Sequence, residues 1–284
     1  MKNAKAEIQK QRDEIQRQRD IALQQRDEIS AQKKEIMDSI HYAKRIQKAI
    51  LPTEKILKAY FPDSFVLNLP RDIVSGDFFW VVEKQSKIFI AAADCTGHGV
   101  PGALMSMIGI TFLNETVIDK GIVNADEILN TLRQNIISSL KQSSEDSETQ
   151  DGMDISLCVV DKKSRIVEFA GANQYMIHIH NGEINDIKPD EMPISIGGRS
   201  DVSFSQKSIY AGENDAFYLF TDGYIDQFGG GSEKKFKFSN FKNLIRSIYQ
   251  VEMNKQQIIL MDELEKWKGD LPQVDDILVV GFKF

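Results

Sequence analysis

The stretch DFFWVVEKQSKIFIAAAD, residues 77–94, decides the fold. With Gln85-Ser86 as a two-residue turn it reads as a β-hairpin in which Lys84 faces Lys87. Moving outward, Trp80 faces Ala91, Phe79 faces Ala92 and Asp77 faces Asp94, so large side chains meet small ones. The runs FFWVV and IFIAAA are apolar on both faces, which suits a sheet packed on a second sheet on one side and under helices on the other. Two carboxylates directly opposed on neighbouring strands repel. They coexist if one is protonated or a cation lies between them. With no basic residue in either strand interior, a cation is the favoured arrangement.

Outward from the hairpin, short apolar runs alternate with turn signals. Strands are expected at 65–69, 153–161, 165–172, 174–180, 183–188, 203–209, 215–221 and 276–284, with Asn181-Gly182 as a hairpin turn. Helical patterns occupy 101–118, 125–141, 240–249 and 254–266; in the second, Ile128, Leu132, Ile136 and Leu140 recur every four residues and Asn124 stands at the N-cap position. Ten strands with few strand–helix–strand alternations predict an α+β fold, two packed antiparallel sheets with helices outside. The polar stretch KQSSEDSETQD, 141–151, is expected to be a mobile loop.

The first fifty residues are a different material. QRDEI at 11–15 recurs as QRDIA at 18–22, QRDEI at 25–29 and QKKEI at 32–36. One seam therefore runs Ile8, Ile15, Ala22, Ile29, Ile36, Ala43, Ile50 at an unbroken spacing of seven, which predicts a left-handed coiled coil. The companion seam, Gln11, Gln18, Gln25, Gln32, Ser39, Ile46, forfeits apolar burial, so a parallel homodimer through residues 1–51 would be weak and switchable. An isolated solvated helix is the plainer alternative. Pro52 ends the helix at Leu51, dividing the chain into a coiled-coil or linker helix, 1–51, and a folded domain, 52–284.

Composition excludes several classes. Residues 1–50 carry a net +4, and the remainder a net −11, an acidic body unsuited to nucleic acid. The N-terminus lacks the apolar core of a secretory signal, no apolar run approaches the roughly 20 residues of a membrane span, and Cys95 and Cys158 make no disulfide framework. A reducing cytoplasm is the simplest compartment.

Asp222 closes the apolar strand AFYLFT before Gly223, and Asp275-Asp276 open the last strand, ILVVGF. In an antiparallel pair the end of one strand lies beside the start of the other, so these can converge. A set of carboxylates without His or Cys side chains suits Mg²⁺ or Mn²⁺, two of which can clamp a phosphoryl group for in-line attack. Taken singly, each aspartate is as readily a turn former or helix cap.

The surrounding motifs sharpen the reading. RDIVSGDFFW (71–80), ADCTGHGVPGALMSMIG (93–109), DGMDISLCVVD (151–161), FAGANQYMI (169–177), FTDGYIDQFGG (220–230) and DDILVVGF (275–282), in that order, resemble the metal-dependent protein phosphatases, specifically the bacterial SpoIIE-type branch of the protein phosphatase 2C (PPM) superfamily. The resemblance covers about residues 60–284, and a helical linker like 36–52 often precedes such domains. It implies an αββα sandwich with two Mn²⁺ or Mg²⁺ ions at one end. Asp94 would bridge both, the Cys95 backbone carbonyl would ligate one, Asp77 would anchor one side, and Asp222 and Asp275 would hold the other. The metal-bridged water would be the nucleophile on phosphoserine or phosphothreonine, with no phosphoenzyme. Asp275 is assigned over Asp276 because the ligand is the first residue of this motif, leaving Asp276 behind it.

The eukaryotic pattern Asp-Gly-His-Gly puts a proposed general acid two residues past the aspartate. Here His98 comes four residues after Asp94, and loop structure is its expected use. The phosphate-binding arginine of the eukaryotic enzymes has no counterpart, Arg71 being the stand-in, and Asp154 is a candidate peripheral ligand. Gly97, Gly99 and Gly102 spell a dinucleotide fingerprint, but a helix follows where a strand ending in an acid is required, and Asp94 would repel a pyrophosphate. Tight turning around metals is the better use of these glycines. His178 and His180 share one strand face, expected to be solvent-facing; Cys95 reads as a small core thiol and Trp267 as a packing anchor.

The sequence thus points to a phosphatase acting on a phosphorylated signalling protein, which the resemblance extends to an anti-sigma-factor antagonist. Its input would come from an upstream sensory partner or from a longer chain of which this is a piece. The alternative from another class is a catalytically inactive dimeric scaffold.

Overall fold

Lys2–Ile50 form one helix, α1, in the computed structural model, which describes residues 2–143, 150–197, 201–231 and 234–284. Pairs four residues apart hold its surface: Gln9–Asp13, Gln16–Asp20 and Gln24–Glu28, each at 2.9 Å. The seam residues Ile15, Ile29 and Ile36 stand exposed on the single chain. The helix ends ahead of Pro52, in keeping with the restriction proline places on its predecessor. The chain divides into two compact units, one running to Arg45 and the other spanning Ile46–Phe284.

In the second unit the elements run α2 (Glu54–Tyr60), β1 (Ser64–Leu69), β2 (Phe78–Lys84), β3 (Lys87–Cys95), α3 (Gly99–Asn114), α4 (Ala125–Ser139), β4 (Met153–Asp161), β5 (Ile166–Ala172), β6 (Met176–His180), β7 (Glu183–Ile187), β8 (Lys207–Tyr210), β9 (Ala216–Phe220), α5 (Gly223–Asp226), β10 (Phe228–Gly229), β11 (Lys234–Lys235), α6 (Phe238–Ile248), α7 (Met253–Lys268) and β12 (Ile277–Lys283). One five-stranded sheet has the order β2-β3-β4-β5-β8 and the other β1-β12-β9-β6-β7, with antiparallel neighbours throughout.

The hairpin register is the one its residues dictate: Trp80 pairs with Ala91, Phe79 with Ala92 and Lys84 with Lys87. Gln85 and Ser86 take φ of 53° and 63°, the paired positive values of a tight hairpin turn. The two apolar faces go to two cores. Phe78, Trp80, Phe89, Ala91 and Ala93 pack under α3 and α4, with Leu113, Ile128, Leu132 and Ile136. Phe79, Val81, Ile88, Ile90 and Ala92 meet Val66, Phe217, Leu219, Leu278 and Val280 of the other sheet. That sheet's outer face carries Phe65, Tyr218 and Phe220 against Phe241, Ile245, Leu260 and Leu264 of α6 and α7. The result is an αββα sandwich. Trp80 is fully buried, its Nε1 donating to Asn114 Oδ1 at 2.9 Å; truncating a core aromatic of this kind to alanine costs about 3–5 kcal/mol.

Several local expectations need correction. Helix α2 was not legible. The expected strand 203–209 begins only at Lys207, because side chains capture the backbone before it: Arg133 Nη2 donates to Val202 O at 2.6 Å, Phe204 N to Asn130 Oδ1 at 2.9 Å and Ser205 N to Asp190 Oδ2 at 2.8 Å. Asn124 precedes α4 as expected, but its side chain makes no capping bond. The expected loop at 141–151 falls largely on 144–149, outside the described residues. The helix of α3 continues through a π-helical turn, Glu115–Asp119, and the 21 residues Gly99–Asp119 have the length and apolar composition of a membrane span, contrary to the sequence reading. Half of that stretch is buried, and α3 packs on β3 as a core helix does.

Candidate metal centre

At one end of the sandwich, aspartates from both sheets converge. Asp77 immediately precedes β2, in register with Asp94 of β3, and Asp94 pairs on its other side with Asp154 of β4. Three carboxylates thus occupy one row across three strands. From the second sheet, Asp222 follows β9 and Asp275 precedes β12, strands that pair antiparallel. Gly223 permits this approach: a Cβ there would sit 1.9 Å from the Asp276 carbonyl oxygen. Gly102 does the same for the loop after β3, where a Cβ would lie 2.2 Å from Gly97 O. The close approach at Gly102 and the positive φ of Gly97 and Gly99, 81° and 63°, account for the glycines of the 97–102 motif without a dinucleotide.

Burial is the first cause of the electrostatic strain. It raises the carboxyl of Asp94 far above the ordinary range, and the charges of Asp77, Asp222 and Asp275 push it further. Burial also raises Asp77, although Thr221 Oγ1 donates to its Oδ2 at 2.6 Å. Between the two, the interaction lowers Asp77 and raises Asp94, so Asp94 is the carboxyl that more readily keeps a proton. Asp222, at the exposed rim, is raised to about 6 by desolvation and then by Asp226, Asp275 and Asp154. Asp154 is raised by desolvation against a hydrogen bond from Asn173 Nδ2 at 2.9 Å. Among the described residues no Lys or Arg is ion-paired to these five; Lys235, whose charge reaches Asp222, is itself paired with Asp226 at 2.6 Å. Oxygen donors crowded together without a basic partner fit hard divalent cations.

Neighbouring groups are already spent. Asp276 is buried, its oxygens accepting from Arg71 N and Gly76 N, each at 2.7 Å, and so fastens the 71–76 loop to β12. The Arg71 guanidinium donates to Val274 O at 2.9 Å, so it is engaged along the loop. His98 is half-exposed, with Nδ1 2.7 Å from Asp72 Oδ2. The Cys95 thiol is buried and its pKa pushed up, by burial first and then by Asp94, an inert thiol rather than a reactive one. An open cavity of about 480 Å³ lies over the cluster, lined by Asp94, Cys95, Asp154, Asp275 and His98 and walled by Pro193, Ser195, Ile196 and Gly197.

Thr221 and Gln47 were missed by the sequence reading. Thr221 Oγ1 also accepts from Leu278 N at 3.0 Å, tying β9 to β12 beside Asp77, and its place in FTDG was the available signal. Gln47, 5% exposed, donates to Ser75 O at 2.6 Å and Ser106 Oγ at 3.0 Å, and accepts from Ser75 N at 3.3 Å. It holds the residue two before Asp77. Nothing in a helix rich in glutamine distinguishes it. The 193–197 wall has no chemically expressive residue to announce it.

The fold and the aspartate cluster define a PP2C-type protein serine/threonine phosphatase domain. The family model described as Stage II sporulation protein E (SpoIIE) matches residues 84–284, and the chain belongs to that family. The matched range takes in Asp94, Asp154, Asp222 and Asp275 and begins after Asp77. The SiaA-PP2C domain of Pseudomonas aeruginosa is similar in structure, with a TM-score of 0.80 and 32% identity over 89% of this chain and 98% of that one. The PP2C phosphatase domain and regulatory-domain fragment of SpoIIE from Bacillus subtilis shares the fold, with a TM-score of 0.62 at 17% identity, covering 78% of this chain and 63% of that one. Phosphoserine phosphatase RsbU of Bacillus subtilis is 37% identical over 76 residues, 26% of this chain and 22% of RsbU, so the match spans about a fifth of that relative's length.

Proposed function

We propose that this chain is a Mn²⁺- or Mg²⁺-dependent phosphatase of phosphoserine and phosphothreonine on a signalling protein. The observation that carries the reading is the gathering of Asp77, Asp94, Asp222 and Asp275 at one end of the sandwich, where Asp94 and Asp275 line a cavity, the carboxyls of Asp77, Asp94 and Asp222 are raised, and no basic side chain among the described residues is ion-paired to the group. These aspartates and the Cys95 carbonyl would hold two ions, with Asp154 at the periphery. Bound there, such ions would activate water for in-line attack on phosphorus and offset charge on the phosphoryl oxygens. The chain's own contribution is position: Thr221 fixes Asp77, Asp276 fixes the 71–76 loop, and Gly223 lets Asp222 approach Asp275. Arg71, turned to Val274, and His98, paired with Asp72, have structural engagements in place of phosphate binding or proton donation.

The substrate is a regulatory phosphoprotein, an anti-sigma-factor antagonist among the candidates, in the cytoplasm; the name of the RsbU relative, phosphoserine phosphatase, supports the phosphoserine part of this reading. The exposed seam of α1 supports a parallel homodimer that receives its input from a sensory partner. Gln47 gives that input a route, because it sits on α1 and grips Ser75 and Ser106.

Manganese-stimulated hydrolysis of p-nitrophenyl phosphate tests the activity. Asp94→Asn should lower the rate by on the order of 10²-fold or more. Metal-independent turnover would overturn the metal mechanism, and no turnover on either p-nitrophenyl phosphate or a phosphoprotein would leave the scaffold reading in its place.

A further inference from the structure

The opposite end of β9 holds a second cluster. The pairing of β6 with β9 sets His178 against Phe217 and Ile179 against Ala216, which puts Asp215 at the register position facing His180. His178 and His180, two apart, share that face. The expectation of a solvent-facing strand therefore fails here: the His178 side chain is 7% exposed and that of Asp215 2%, with His180 at 46% on the rim. Asp215 Oδ2 lies 2.8 Å from His178 Nε2, and Oδ1 lies 2.9 Å from His180 Nδ1. All three residues offer ligand atoms within 4.8 Å of one another.

We propose that His178 Nε2, His180 Nδ1 and the Asp215 carboxylate form a site for a borderline divalent transition ion, Zn²⁺ being the type. Donors around a tetrahedral ion with bonds of about 2.0–2.1 Å stand about 3.3 Å apart. The two His–Asp separations, 2.8 and 2.9 Å, are a few tenths of an ångström shorter than that value, so small ring rotations that open them admit the ion. Each imidazole frees its inward lone pair by carrying its proton on the other nitrogen. For His180 that nitrogen, Nε2, lies 3.0 Å from the Asn181 side-chain amide, whose oxygen accepts the N–H after an amide rotation. The His178 ring is stacked on Phe217 at 4.6 Å, and Gly212 N donates to Asp215 Oδ2 at 2.8 Å, so two donors are held before any ion arrives. The exposed side of His180 leaves the fourth position to water.

The donors separate this site from the aspartate cluster. Imidazole nitrogens favour zinc, cobalt or nickel, whereas an all-oxygen set favours magnesium or manganese. Asp215 and Asp222 flank the same strand, about 23 Å apart at about 3.3 Å per residue. An ion here would brace β6, β9 and the 211–215 crossing between the sheets.

The test is calorimetric titration of Zn²⁺ into the full chain in excess Mg²⁺, which fills the carboxylate cluster and competes poorly for imidazole. The wild type should take up one Zn²⁺ through these residues. His180→Gln, at the half-exposed member where folding is least at risk, should weaken that binding about tenfold or more and shrink the zinc-dependent rise in melting temperature accordingly. Circular dichroism verifies its fold. No zinc uptake by the wild type in excess Mg²⁺, or equal affinity in His180→Gln, would overturn the site.

Discussion

Strand β9 has an aspartate just beyond each end, and the two ends treat it in opposite ways. Asp215 sits between two imidazoles and a backbone N–H, and although burial raises its carboxyl, the bonds from His178, Gly212 and His180 bring it below the ordinary value. Asp222 faces other carboxylates, and its own is raised. One carboxylate is satisfied within the chain, while the other belongs to a group satisfied only by protonation or by something brought from outside. Buried charge without a partner is destabilising, and a fold retains it where binding depends on it.

The sharpest break in that comparison is a pair of substitutions with opposite signs. Asp94→Asn should abolish metal-stimulated hydrolysis, as set out above, yet raise the melting temperature of the metal-free protein at pH 8 by relieving repulsion. Asp215→Asn should lower it, by about 1.5–3 kcal/mol of stability for hydrogen bonds to a charged group. Differential scanning fluorimetry of both, with chelator present, reads the two signs. If both destabilise, the ends are not different in kind.

Next in size is Gly223→Ala, which drives a methyl into the Asp276 carbonyl. Moving Asp222 from Asp275 should lower manganese affinity and cost about 1–3 kcal/mol in a denaturant melt. The third expectation concerns pH. Asp77, Asp94 and Asp222 have folded-state values above the ordinary 3.8. The native chain therefore keeps protons that the unfolded chain has released, and stability is greatest below the ordinary value and falls as pH rises through the raised ones. Metal-free protein should melt lower at pH 8 than at pH 5, and Mn²⁺ should reverse the difference at pH 8. An unchanged melting temperature across that window would mean the carboxylates lie farther apart in solution.

Thr221→Val should weaken manganese binding about tenfold, because it frees Asp77 and strands the Leu278 N–H. The smallest effect belongs to the linker. Gln47→Leu, or deletion of residues 1–35, should change the rate or the metal requirement several-fold with the sandwich intact. Unchanged kinetics with a retained dimer would separate α1 from catalysis.

Much of this was legible because alternation and pair size determine a register. Trp80 against Ala91 fixed the hairpin, and the hairpin put Asp77 beside Asp94. The convergence of Asp222 and Asp275 followed from strand polarity once the two strands were taken as partners, which they are. What stayed hidden was whatever depends on side chains reaching across the chain. Gln47 looks like every other glutamine of α1 until Ser75 and Ser106 surround it. His178 and His180 read as an exposed face because the strand pattern alone does not reveal Asp215 opposite them, or the other sheet closing over His178. The strand expected from Ser203 failed because Asn130, Arg133 and Asp190, remote in sequence, claim its backbone first.

Strand β12 enters its sheet between β1 and β9, although more than 200 residues separate it from its partner β1. A ribosome therefore delivers Asp275, Asp276 and an interior strand of the sheet after nearly everything else on this chain. Until then β1 and β9 have a vacant lane between them, and the 71–76 loop has no Asp276 to fasten it. Asp77, Asp94 and Asp154 share a row of the other sheet before Asp275 and Asp276 are made, so completion of the centre waits on the insertion of this single strand.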